Sequence, residues 1–224
     1  MRNIVVGTFL TLDGVMQAPG GPEEDPTGGF VHGGWSVNYW DDLMGQYMGE
    51  SMGKPFDLLL GRKTYEIFAA HWSYLTDDPA ADALNRATKY VVSTTLDKAE
   101  WRTSILIRPG ERDVPEQIRR LKEGDGPEIQ VHGSGQLIQT LIKHDLVDRY
   151  RLWLFPLMLG TGKRLFANGT IPAGLRLVDS KTSTTGVIMA TYERAGDINR
   201  GSFALEEPTE AEVERRRRLA DSGC

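Results

Sequence analysis

The sequence predicts an α/β fold, a mostly parallel central sheet flanked by helices with a C-terminal antiparallel hairpin. Three observations carry this. Short, β-branched apolar runs alternate with stretches of helical period along most of the chain. Two of these runs pass through glycines into the following helix, and a third ends in hydroxyls where it meets a loop. The last two runs are joined by Thr184-Thr185-Gly186, a hairpin connection.

Taken in order, Asn3 to Leu12 reads as a strand closed by the turn residues Asp13-Gly14. The Gly- and Pro-rich stretch QAPGGPEEDPTGGFVHGGW follows, long enough that it should be either functional or disordered. A helix is expected over Asn38 to Met52, weakened by Gly45 and Gly49. Phe56 to Leu60 is a nearly continuous apolar strand, Arg62 to Ala70 a helix, and Pro79 to Arg86 a second helix with proline near its start. Strands follow at Lys89 to Ser93 and Ser104 to Ile107, then an amphipathic helix over Val114 to Lys122 that stops at Gly124. Glu128 to His132 is a strand leading through Gly-Ser-Gly into a helix over Gln136 to His144. Asp148 to Phe155 alternates as a strand, and Leu175 to Ser183 with Val187 to Glu193 forms the hairpin.

Residues 1–195 therefore read as one domain, and 196–224 as a C-terminal tail with a short charged helix. Thr209 and Glu212 there have capping-box spacing, and Glu212 and Glu214 each precede an arginine by four residues. A solvated terminal helix and a partner contact are both open for this tail.

Composition narrows the function. The formal net charge is −5 and the sequence pI about 5.5, which speaks against a general nucleic-acid or membrane-surface binder. The single cysteine, Cys224, can form no internal disulfide, and no apolar run has the length of a membrane span. A soluble cytoplasmic protein is the expectation. The four histidines show no metal-ligand spacing and no zinc-deaminase pattern.

The chemistry concentrates where strands become helices. At Gly61, Arg62, Lys63 and Thr64 a strand end meets a helix start, where free N–H groups and the helix dipole favour an anion. Taken alone, this is equally a tight turn with two surface cations. Gly133, Ser134, Gly135 and Gln136 form a second junction of the same kind. It lacks the full dinucleotide fingerprint, because Ile138 stands where a third glycine or alanine would. Ser93 and Thr94 close a third strand with hydroxyls. Ligands of open α/β sheets bind at the carboxyl ends of strands, so three such junctions point to one extended polyanion, and a dinucleotide before a mononucleotide.

GRKTYE after an apolar strand, KYVVST after the next helix and V-x-G-x-G before a helix resemble the dihydrofolate reductase-like superfamily. DRYRLWLFPLMLGTGKRLF and TLDGVMQAP are similar to the reductase domain at the C-terminal end of the bifunctional riboflavin-biosynthesis deaminase-reductases, and to stand-alone bacterial relatives. The resemblance runs from Met1 to about Glu193. It implies NADPH as cofactor, with Arg62, Lys63 and Thr64 on phosphate of the adenosine half. Ser93 and Thr94 would lie along the 2′-phosphate or ribose, and Gly133 to Gln136 along the pyrophosphate. It further implies a small heterocyclic substrate, in its most specific form 5-amino-6-(5-phosphoribosylamino)uracil, and a homodimer. Pterin, dihydrofolate or flavin reduction, or nucleotide binding without turnover, are the alternatives. For the proton, a carboxylate on the first helix is implied; Asp41 and Asp42 stand there, and Asp13 after the first strand is a further candidate. Each has a plain structural alternative, as helix-start or turn carboxylates. His132 occupies a position that is often acidic in the reductase domains.

Overall fold

The structure, a computed structural model, describes residues 1–110, 112–166 and 170–222. Its centre is an eight-stranded sheet built from β1 (Ile4–Thr11), β2 (Phe56–Gly61), β3 (Lys89–Val92), β4 (Ser104–Ile107), β5 (Glu128–His132), β6 (Arg149–Phe155), β7 (Leu175–Thr182) and β8 (Ile188–Arg194). The spatial order is β4-β3-β2-β5-β1-β6-β8-β7. All pairs from β4 to β6 are parallel, while β8 is antiparallel to both β6 and β7. The helices are α1 (Asp42–Met52), α2 (Arg62–Trp72), α3 (Pro79–Arg86), α4 (Val114–Glu123), α5 (Gly135–Lys143) and α6 (Glu210–Asp221).

Strand alternation sorts the core onto the two faces. Ile4, Val6, Leu59, Ile129 and Val131 face α4 and α5, meeting Ile118, Leu137, Ile138 and Leu141. Leu58 and Leu60 point the other way, toward Tyr65 of α2 and Leu84 of α3. On that second face, further along the sheet, Trp153, Phe155 and Met189 pack on Met44 of α1. The gap between the α1 cluster and the α2–α3 cluster is where polar groups collect.

Two boundaries differ from the sequence expectation, for local reasons. The helix expected from Asn38 begins at Asp42, because Trp40 is extended and the Asp41 carboxylate accepts the Met44 N–H as N-cap. Residues Val37–Tyr39 form a separate 3-10 turn. The third strand stops at Val92, because the buried Ser93 Oγ accepts the N–H groups of Thr95 and Leu96 and turns the chain. In the tail, Thr209 caps α6 and Glu212 pairs with Arg215 and Arg216; no residue of α6 is buried.

The long loop after β1 is ordered by the segment after β6. Gln17, buried, donates to the carbonyls of Asp25 and Thr27 and accepts from Lys163 N–H. The Lys163 ammonium bonds the Asp25 carboxylate and Thr27, and the Trp35 indole N–H donates to Gln17 O at 2.8 Å. Gly162 closes this assembly at φ +120°; a Cβ there would lie 2.7 Å from Val15 and 2.9 Å from the Phe30 ring. Gly162→Ala is expected to lower unfolding free energy by about 1–3 kcal/mol, from strain plus overpacking. A urea midpoint equal to that of the parent would refute this.

Candidate functional site

The carboxyl ends of β3, β2, β5 and β1 lie side by side in that order, so the sheet brings Ser93-Thr94, Gly61-Arg62-Lys63-Thr64, Gly133-Ser134-Gly135-Gln136 and Asp13 to one edge. The two glycine junctions are laced together. Gly61 N–H donates to Ser134 Oγ at 3.0 Å, and Ser134 N–H donates to Thr64 Oγ1 at 2.9 Å. Ser134 adopts φ 59° and ψ 44°, and Gly133 before it has φ +52°. A Cβ on Gly133 would sit 3.2 Å from Thr64 Oγ1, so glycine permits this close crossing.

Helix capping separates these two junctions from the other helix starts. Asp41, Asp78, Asp113 and Thr209 cap α1, α3, α4 and α6 with their side chains, and each of those helices has an acidic residue in its first turn. Neither α2 nor α5 has a side-chain cap or a first-turn acid. Their N–H groups and dipoles are therefore left to something else, and an anion satisfies both. Lys63 is exposed beside them with no acidic partner among the described residues, while exposed Arg62 pairs with Glu66 at 3.0 Å. Both Ser134 and Thr64 use their hydroxyl oxygens as acceptors here, which leaves each O–H free to donate. Thr94 is exposed, and Gln136 is exposed on the first turn of α5. Together these donors make an edge suited to an anion.

The three candidate carboxylates are placed differently. Asp41 caps α1 and also accepts from the N–H and hydroxyl of Thr184, both at 2.7 Å, tying α1 to the β7–β8 turn. The Met44 N–H and then the Thr184 hydroxyl hold its carboxyl below the ordinary value. Asp13 accepts from Thr11 Oγ1 at 2.5 Å and from the N–H groups of Leu159 and Gly160, with Arg164 beside it. The Thr11 bond, opposed by burial and reinforced by Gly160 and Leu159, brings Asp13 down to about 2. Both are thus ionised at neutral pH and anchor neighbouring loops. Asp42, exposed on the first turn of α1, has no bonded partner among the described residues.

A polar row on the sheet floor escaped the sequence reading. Glu128, Gln130 and His132 alternate on the α1–α2 face of β5, and His132 and Arg151 flank Gly7 in register. His132 Nε2 bonds Gln130 Oε1 at 2.9 Å, and Gln130 Nε2 donates to Glu128 Oε1 at 2.8 Å. Arg151 donates to both Glu128 oxygens at 2.7 and 3.0 Å and to Ser51 of α1 at 3.3 Å. Burial would raise the Glu128 carboxyl, but Arg151 outweighs it and the net shift is downward. Burial first, and then the Arg151 charge, push His132 down to about 4 against the opposing pull of Glu128. The available signal was E-x-Q-x-H, three polar residues on one face of a strand central enough to be covered.

A mostly parallel sheet carrying two uncapped helix starts at one carboxyl edge, with a polar floor beside them, defines an α/β protein with its candidate site at the strand ends. The chain belongs to the RibD C-terminal domain family, whose model matches residues 2–189, and is an oxidoreductase of that reductase type. It is 27% identical over 204 residues to YyaP of Bacillus subtilis (strain 168), covering 87% of this chain and 96% of that one. Among solved structures, a pyrimidine reductase-like protein from Corynebacterium diphtheriae superposes with a TM-score of 0.56 at 12% identity, covering 88% and 93% of the two chains. The Enterococcus faecalis dihydrofolate reductase complexed with NADP(H) and RAB-propyl gives 0.53 at 14% identity, over 86% and 96%. At these identities the structures establish the dihydrofolate reductase-like fold.

Proposed function

We propose that the protein is an NADPH-dependent reductase of a small heterocyclic substrate, of the type that acts on 5-amino-6-(5-phosphoribosylamino)uracil. The observation that carries the cofactor half is the pair of uncapped helix starts, α2 and α5, laced through Ser134 and Thr64 beside Lys63. In this reading the N–H groups of Gly135 and Gln136 hold the pyrophosphate, and Arg62, Lys63 and Thr64 hold phosphate of the adenosine half. Ser93 shapes the turn that presents Thr94 to the 2′-phosphate or ribose. NADPH would supply the hydride. The chain's part is to orient the ring in the gap between α1 and α2 and to exclude water there. Asp42 is the one of the three carboxylates with oxygens clear to relay a proton. A homodimer is also proposed: β7 is a free sheet edge on which Leu175, Leu177 and Val178 are exposed.

The test is thermal shift with NADPH and NADH, then NADPH oxidation with aminopyrimidine, pteridine, dihydrofolate and flavin candidates. NADPH is expected to stabilise more than NADH, and Arg62→Ala to weaken NADPH about tenfold, about 1.4 kcal/mol. The lost Arg62–Glu66 pair is exposed and of small consequence for folding. Equal shifts from both nucleotides would defeat the phosphate assignment. Binding without oxidation across the panel would favour a nucleotide-binding module instead.

A further inference from the structure

The polar row on the floor fixes a tautomer. The Glu128 carboxylate, held ionised by Arg151, can only accept, so Gln130 must turn its NH2 toward Glu128 and its carbonyl toward His132. A carbonyl accepts, so His132 Nε2 must carry the proton. Neutral His132 then keeps a lone pair on Nδ1, which has no partner among the described residues and is not sealed from solvent.

Where that lone pair lies is set by Gly7. A Cβ built on Gly7 would be 3.4 Å from His132 Cε1 and 3.5 Å from Nδ1, so this imidazole edge borders the space that glycine leaves open. Arg151 stands opposite Gly7 on the other neighbouring strand and retains N–H donors beyond its three bonds. Gly7 and Phe9 are the partly exposed positions of β1. The space over Gly7 thus has an acceptor at one side, and the register sets an arginine on the strand at its other side.

We propose that the opening over Gly7 binds the amide or imide edge of a substrate heterocycle, its ring N–H donating to His132 Nδ1 and its adjacent carbonyl accepting from Arg151. Gln130 and Glu128 are positioning residues that hold His132 in the accepting tautomer. The assignment rests on the reductase reading for its occupant, but the tautomer is a property of the protein alone. His132 is on this account a specificity group and carries no proton to the substrate.

The experiment has two parts. In the 15N-histidine-labelled protein at about pH 7, His132 should show Nε2 protonated and Nδ1 bare, and Gln130→Met should release this preference. In calorimetric titration of the NADPH-loaded protein, 2,4-dioxopteridine should bind at least about tenfold more tightly than its N3-methyl derivative, a factor that Gln130→Met or His132→Phe reduces to near unity. An Nδ1–H tautomer, an imidazolium, equal affinities for the two pteridines, or no binding of either would overturn the proposal. If those failures accompany a normal NADPH thermal shift, the reductase reading stands without it. A missing NADPH shift alongside the expected tautomer removes the reductase reading instead.

Discussion

Arg2→Ala is expected to lower unfolding free energy by about 3–5 kcal/mol, because it strands a buried carboxylate. Arg2 and Asp57 form an ion pair with both partners buried, and the Arg2 Nε–H also donates to Pro127 O at 2.7 Å. The guanidinium lies 5.9 Å from the Tyr90 ring centroid, and Asp57 Oδ1 accepts the Thr88 N–H. One side chain therefore joins the amino-terminal ends of β1, β2, β3 and β5, the edge opposite the candidate site. Urea unfolding is the measurement. Arg2→Met combined with Asp57→Leu should be less destabilised than Arg2→Ala alone, since it removes the orphaned charge. NADPH affinity of folded Arg2→Ala should match the parent. A midpoint unchanged by Arg2→Ala would show that the pair contributes nothing.

That contrast between the two sheet edges also explains what the sequence disclosed. Gly61 to Thr64 and Gly133 to Gln136 were legible as strand-to-helix junctions because such junctions are written in consecutive residues. So were the hairpin and the parallel strands, whose patterns are local. Asp41 shows the opposite case: its capping of Met44 is local, but its partner Thr184 is 143 positions away and only the folded sheet edge brings it near. The Glu128–Gln130–His132–Arg151 row was missed because it depends on register. Gly7 stands opposite both His132 and Arg151, and no spacing in the chain announces that alignment. Arg2 has no signature in the sequence, since nothing before folding places Asp57 and Pro127 beside it.

Lys89 carries the second large effect, and it appears as a dependence on pH. It opens β3, has no exposed surface, and donates to Asn85 O, Arg102 O and Thr103 Oγ1 at 3.0–3.1 Å. Its ammonium also sits 4.2 Å from the Trp101 ring centroid, but no carboxylate pairs with it among the described residues. Burial, and then the Arg102 charge, bring Lys89 down from 10.5 to about 8. Below about pH 8 both folded and unfolded chains hold this proton, so stability is flat on its account. Between about 8 and 10.5 the unfolded chain holds it and the folded chain does not, so the unfolded state binds more protons and stability rises with pH. The rise should be about 2–3 kcal/mol between pH 7 and pH 10. Tyr150, which burial pushes up to about 12, works in the opposite sense above its ordinary value of 10, so the comparison stops there. Urea unfolding of the parent and of Lys89→Met separates this group from all others. The difference between the two should grow across the interval in the parent's favour, and parallel profiles would refute it. The consequence is positional: the Lys89 cage fixes the start of the strand whose other end delivers Ser93 and Thr94 to the carboxyl edge of the sheet.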